Sequence, residues 1–187
     1  MINDKIQQLV NNKRKIAIVF FIIYIIFALL GFVLYRFSHY KFFIDFKHIA
    51  IAILCGLIAF VINYILGYIL KKTKLNTKTP KIVNYYPINL KFYTFIAYIF
   101  VVFIEEIVCR SIVFSYVNNN VGVYAAIVVS SLVFSLFHFK YKMVQIFFLG
   151  VFFAFLIFST GNLLVPFIAH LTNNTLILFY KPKQSYD

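Results

Sequence analysis

The sequence predicts an all-α membrane protein, a polytopic helical bundle of about six transmembrane helices. Three observations carry that reading. Hydrophobic residues make up 63% of the 187 residues and charged ones 12%, against roughly 45–50% and about 25% in a soluble domain. The apolar residues fall in long uninterrupted runs, each of a length suited to a bilayer core of about 30 Å. The basic residues gather between those runs and at their ends, which is how cytoplasmic loops are marked.

The elements follow in order. Residues 1–15 are polar and basic, with Lys5, Lys13, Arg14 and Lys15 against Asp4. Ile16 to Leu34 is the first span. It resembles the apolar part of a signal peptide, but it is long and lacks a small-residue cleavage site, so an uncleaved span is expected. Tyr35 to His48 is a mixed loop containing His39 and His48, to which no chemistry is assigned. Ile49 to Leu70 is the second span, and Asn63, its one strongly polar side chain, suits a hydrogen bond between helices. Lys71 to Lys91 is the longest polar segment, with an interfacial portion around Ile82–Leu90.

Phe92 to Val117 forms the third span, Asn118-Asn119-Asn120 a turn, and Val121 to Phe139 the fourth span. Lys140 and Lys142 flank a tight connection to the fifth, Met143 to Phe158. Ser159 to Asn162 is a turn, and Leu163 to Phe179 the sixth span. This is a single membrane domain, 1–187, with two N-terminal spans over 16–70 and a catalytic core over about 92–179. Lys and Arg outside the spans number four, three, six, none, two, none and two along the chain. Alternate segments thus hold fourteen against three, so the expected location is a cell membrane, multi-pass, with both termini cytoplasmic. The net charge of +13 is read as anchoring to anionic membrane lipids, with no nucleic acid partner. Cys55 and Cys109 lie inside apolar runs and read as small buried hydrophobes.

Against this background one stretch stands out. Glu105 and Glu106 are the only glutamates in the chain, side by side in an apolar run, with Arg110 four residues on. Each such group costs about 2.5–3.5 kcal/mol at mid-membrane, which makes a functional site the default explanation. Residues four apart share a helix face while neighbours diverge by about 100°. Glu106 and Arg110 can therefore form a supporting ion pair, which leaves Glu105 unpaired by its own helix. A carboxylate stripped of water is the stronger base.

Two further spans carry polar groups. His138 ends the fourth span, one turn after Phe134, and His170 shares a face of the sixth with Asn174, while Asn173 points away. Taken singly, these read as an interfacial histidine and as polar glue between helices. Together they supply a base, two imidazoles and an amide donor, the parts for hydrolysing an amide. A glutamate with a histidine can deprotonate a water, and a histidine with an asparagine can donate to the oxyanion. Ser111, Ser130 and Ser131 read as packing residues, since none stands in a nucleophile context.

The run Glu105-Glu106-x-x-x-Arg110, then Phe134-x-x-x-His138, then His170-x-x-x-Asn174 resembles the CAAX protease and bacteriocin-processing (CPBP, or Abi) family of intramembrane proteases, over about residues 100–175. The resemblance implies an α-helical bundle with its site in a cavity within the membrane. It implies that Glu105 and His138 activate water and that His170 and Asn174 form the oxyanion hole. The family's arginine is often followed by glycine, where this chain has Ser111. Family members have been classed as metalloproteases, and two histidines with a glutamate could bind zinc or another divalent metal. No HExxH motif is present, and the reading favours water activated by glutamate without a metal or other cofactor.

The expected function is an endopeptidase acting on a hydrophobic peptide or membrane-protein substrate, in peptide maturation or bacteriocin self-immunity. Nothing in the sequence indicates prenyl recognition. The alternative is a membrane immunity protein that binds a peptide without cutting it. A small proton-coupled transporter using Glu105 is a third class, but it gives no reason for His170 and Asn174. One geometric difficulty remains for straight spans. At 1.5 Å per residue Glu105 lies roughly 18 Å from the outer end of its span, His138 roughly 26 Å and His170 roughly 10 Å. The fifth span covers only about 24 Å, so a recessed Ser159–Asn162 turn is expected to lower His170, with Pro166 bending the start of the last helix.

Overall fold

The computed structural model describes residues 21–22, 24–72, 88–138 and 143–179. The basic N-terminal stretch, most of the lysine-rich connection, the Lys140–Lys142 link and the C-terminal lysines lie outside the described residues, as do the expectations made for them.

The described chain is an all-helical bundle: α1 (Tyr24–Arg36), α2 (Phe46–Lys72), α3 (Ile88–Glu106), α4 (Phe114–Asn120), α5 (Val123–Leu136), α6 (Met143–Thr160) and α7 (Leu164–Phe179). A π-helical segment, Ile107–Val113, joins α3 to α4, so that 88–120 is one continuous rod. α2 and α6 are each long and apolar enough to cross a membrane. Only 17% of the most apolar window of α2 is buried inside the protein. Its large side chains face outward, among them Ile53, Leu57, Val61 and Ile65. A soluble fold could not leave such a surface to water, whereas lipid accepts it.

α2 packs along α7, α5 along α6, and α3 against α7. Lipid removes the hydrophobic drive between helices, so close van der Waals fit has to hold them. Ala52, Gly56 and Ala59 supply that fit on α2. A Cβ on Gly56 would lie 2.5 Å from Thr172 Cβ and 2.8 Å from the Ala169 carbonyl oxygen, so no larger residue permits this approach. Asn63 bridges helices as expected, through Gln145 of α6, whose amide donates to the Asn63 carbonyl (2.5 Å) and side-chain oxygens. Cys55 and Cys109 are free thiols, Cys109 fully buried in the core with Phe134, Phe153 and Ala169.

Several boundaries differ from expectation. The three asparagines do not form the turn after the third span. α4 runs through Asn120, whose amide donates back to the Tyr116 carbonyl (2.7 Å), and the reversal falls at Val121–Gly122. Pro166 opens α7 rather than bending it, because in the first turn its missing N–H falls among groups with no helical partner. The α6–α7 turn is recessed. Gly161, at φ 62°, ends α6 in the left-handed conformation that glycine adopts at least cost. The next two residues, Asn162 and Leu163, are buried. Asn162 accepts from Phe43 N–H (3.0 Å) and donates to the Phe43 carbonyl (2.8 Å), and Leu163 N–H donates to the Lys41 carbonyl (3.2 Å). The chain 37–45 lies over this turn.

Candidate active site

Three parts of the bundle converge on Glu105 and Glu106. α3 ends on the pair, α5 delivers His138 just past its last turn, and α7 delivers His170 and Asn174 from mid-helix. Glu105 stands between the imidazoles. Its Oε1 lies 3.9 Å from His138 Nε2 and its Oε2 lies 3.8 Å from His170 Nε2. Both separations are too long for a direct hydrogen bond, and they are the kind that a water between the groups would bridge.

Glu106 has two partners. Its Oε2 lies 3.3 Å from Arg110 Nε, with both side chains wholly buried, which is the pair that the spacing predicts. Its Oε1 also accepts a 2.8 Å hydrogen bond from His170 Nδ1, which the sequence reading did not foresee. That contact fixes the ring. With Nδ1–H donating to the carboxylate, Nε2 of the neutral imidazole has a free lone pair, and Asn174 Nδ2 donates to it at 3.1 Å. Asn173 Nδ2 in turn donates to Asn174 Oδ1 (3.1 Å). Asn173 is buried, so it belongs to the same polar chain.

Aromatic rings form the walls. Phe153 stacks on His170 with centroids 5.0 Å apart, and Phe134 meets its edge at 5.3 Å. Phe134 also lies 5.4 Å from His138, and the Arg110 guanidinium sits 4.6 Å above its ring. One phenylalanine thus touches both histidines and the arginine, and its quadrupole lowers the cost of burying the cation. His138 Nδ1 donates to the Phe134 carbonyl (3.2 Å), which turns Nε2 toward Glu105 as an acceptor.

The π segment begins immediately after Glu106, and Phe114 N–H reaches back to the Cys109 carbonyl. Such wide turns concentrate at functional sites. Here it buries Cys109, Arg110 and Ser111 in succession, so that Arg110 faces Phe134 while Ser111 faces the chain 37–45.

Among the described residues no group of three or more His, Cys, Asp or Glu side chains is placed to hold a metal ion. The donor set gives the reason. Glu106 is engaged by His170 and Arg110, and His170 Nε2 is engaged by Asn174. No step below passes through a metal.

Every residue that the sequence reading placed in the site lies in this cluster. Phe153, the second partner of Glu106 and the role of Asn173 were missed. Phe153 carries no signal among 25 phenylalanines, whereas Asn173 stands beside Asn174 and ideal helix geometry points it off the shared face.

No curated protein and no solved structure matches the chain. A family model does match, that of the type II CAAX prenyl endopeptidase Rce1-like proteins, over residues 87–176. The matched span opens α3, ends within α7 and contains both glutamates, Arg110, both site histidines and Asn174. Over those residues, just under half of the chain, the sequence is similar to the type II CAAX prenyl endopeptidase Rce1-like proteins of the CPBP group.

Proposed function

We propose that this protein is a multi-pass membrane endopeptidase that hydrolyses a peptide bond of a membrane-associated peptide or protein with water activated by Glu105 and His138. The observation that carries the reading is Glu105 held 3.8–3.9 Å from two imidazole nitrogens, with its side chain 13% exposed. The family supplies the reaction class, a CAAX-type endopeptidase. Six spans with both termini cytoplasmic follow from the distribution of basic residues.

A water in the gap donates one hydrogen to His138 Nε2 and gives the other to Glu105 as its oxygen attacks the scissile carbonyl. The oxyanion that forms accepts from Asn174 Nδ2, which turns from the ring nitrogen it meets in the resting site, and from His170 Nε2–H. The second donation requires His170 to be an imidazolium, because its Nδ1–H already serves Glu106. Glu106 is the group that stabilises that cation. Collapse of the intermediate breaks the C–N bond, and Glu105 returns its proton to the leaving amine. The new carboxylic acid passes the remaining water proton to the amine, so that a carboxylate and an ammonium result, and no covalent enzyme intermediate forms.

The substrate class is a small peptide precursor, a leader or signal-peptide remnant, or a toxin peptide in self-immunity. The test is cleavage of membrane-anchored peptides by purified protein in lipid vesicles, with chelator added in parallel. Cleavage that survives the chelator supports glutamate-activated water. Cleavage abolished by the chelator and restored by zinc overturns that mechanism.

A further inference from the structure

The chain 37–45 lies outside the matched family span and touches no catalytic group, yet it binds both helices that form the Glu106–His170 contact. Ser111, directly after Arg110 in the π segment, is its anchor on one side. The Ser111 and Ser38 hydroxyls are 2.6 Å apart, and Ser111 Oγ also accepts from Tyr40 N–H at 2.7 Å. On the other side Asn162 and Leu163 hold Phe43 and Lys41 at the start of α7. Between these anchors Phe42 inserts between α3 and α7. It stacks on Phe103 with centroids 5.5 Å apart and meets Phe167 edge-on at 5.7 Å. Phe103 is three residues before Glu106, and Phe167 is three residues before His170. Each ring is therefore about one helical turn from the carboxylate or imidazole on its own helix.

We propose that 37–45 is a strap that sets the register of α3 against α7, with Phe42 and Ser111 as positioning residues for the Glu106–His170 hydrogen bond. The Ser111 hydroxyl is what latches the strap. The proposal rests on the peptidase reading only for its effect on turnover. The placement of His170 can be read without any substrate.

The test uses the full-length protein in lipid vesicles, labelled with 15N at histidine, with the His170 signals assigned by their loss in His170→Asn. Wild-type Nδ1 shows the shift of a ring nitrogen bonded to a carboxylate. Phe42→Ala is expected to abolish that signature and Phe42→Tyr to restore it. Phe37→Ala, an exposed change in the same chain, leaves it unaltered. Ser111→Ala removes one oxygen, moves the signal in the same direction, and decides the matter where Phe42→Ala does not fold. In parallel, cleavage of a quenched-fluorescence peptide with an apolar C-terminal half is expected to lose about tenfold or more in kcat on Phe42→Ala, with KM little changed. A wild-type His170 signal in folded Phe42→Ala, or in Ser111→Ala where the former does not fold, overturns the strap. A wild-type protein that cleaves no peptide, yet whose His170 signal follows Phe42, retires the peptidase reading and upholds the strap.

Discussion

The two walls of the site are built differently. On one, His170 is 3% exposed, bonded at both ring nitrogens, stacked on Phe153 and backed by a buried ion pair. On the other, His138 is 30% exposed and tied only to its own helix. Glu105, at 13%, lies between them. The buried wall is a fixed electrostatic frame, the arrangement suited to charge that develops during reaction. The exposed wall is where the proposed mechanism places the water and the moving proton. Each wall uses one member of the glutamate pair, and the 100° between adjacent helical residues is what allows one dipeptide to serve both.

This contrast can be broken from either side. The largest expected effect lies on the buried wall. Glu106→Ala leaves a guanidinium without its counter-ion and is expected to cost about 3–5 kcal/mol of stability, read as a lower denaturation midpoint in detergent. Asn174→Ala is next, with kcat expected to fall about 10²–10³-fold while the denaturation midpoint changes little. His138→Ala, on the exposed wall, should lower kcat about a hundredfold and leave stability intact, since the ring is packed on one side only. Equal losses of stability from Glu106→Ala and His138→Ala would erase the distinction between the walls. The smallest effect belongs outside the site. Gln145→Leu breaks the bond to Asn63 and should cost about 0.6 kcal/mol, with no change in the kinetics of peptide cleavage.

Much of this was legible in the chain because it depends on helical period. The Glu106–Arg110 pair and the shared face of His170 and Asn174 follow from spacing of four. The amide of Asn63 likewise found a partner across helices. The levels of the three polar spans were a real obstacle for straight helices, and the recessed turn at Asn162 and Leu163 accounts for how α7 is set. What escaped was tertiary. The second bond of Glu106 joins residues 64 positions apart, and the strap joins Ser38 to Ser111 across 73. The π segment has no propensity signal of its own, and its wide turn is held by packing on both sides. Ser111 was read as packing because an isolated serine in an apolar span gives no hint of a partner from another loop.

The central claim is that Glu105 delivers water to the scissile bond. It is tested most directly by mass spectrometry of peptide products in 18O-enriched water, comparing the full-length wild type with Glu105→Gln in lipid vesicles. The substitution keeps the shape of the side chain and removes the base. The wild type is expected to release a product with 18O in its new carboxylate, and the variant, folded and at equal abundance, to release none. The same labelled product at the wild-type rate from Glu105→Gln would contradict the account.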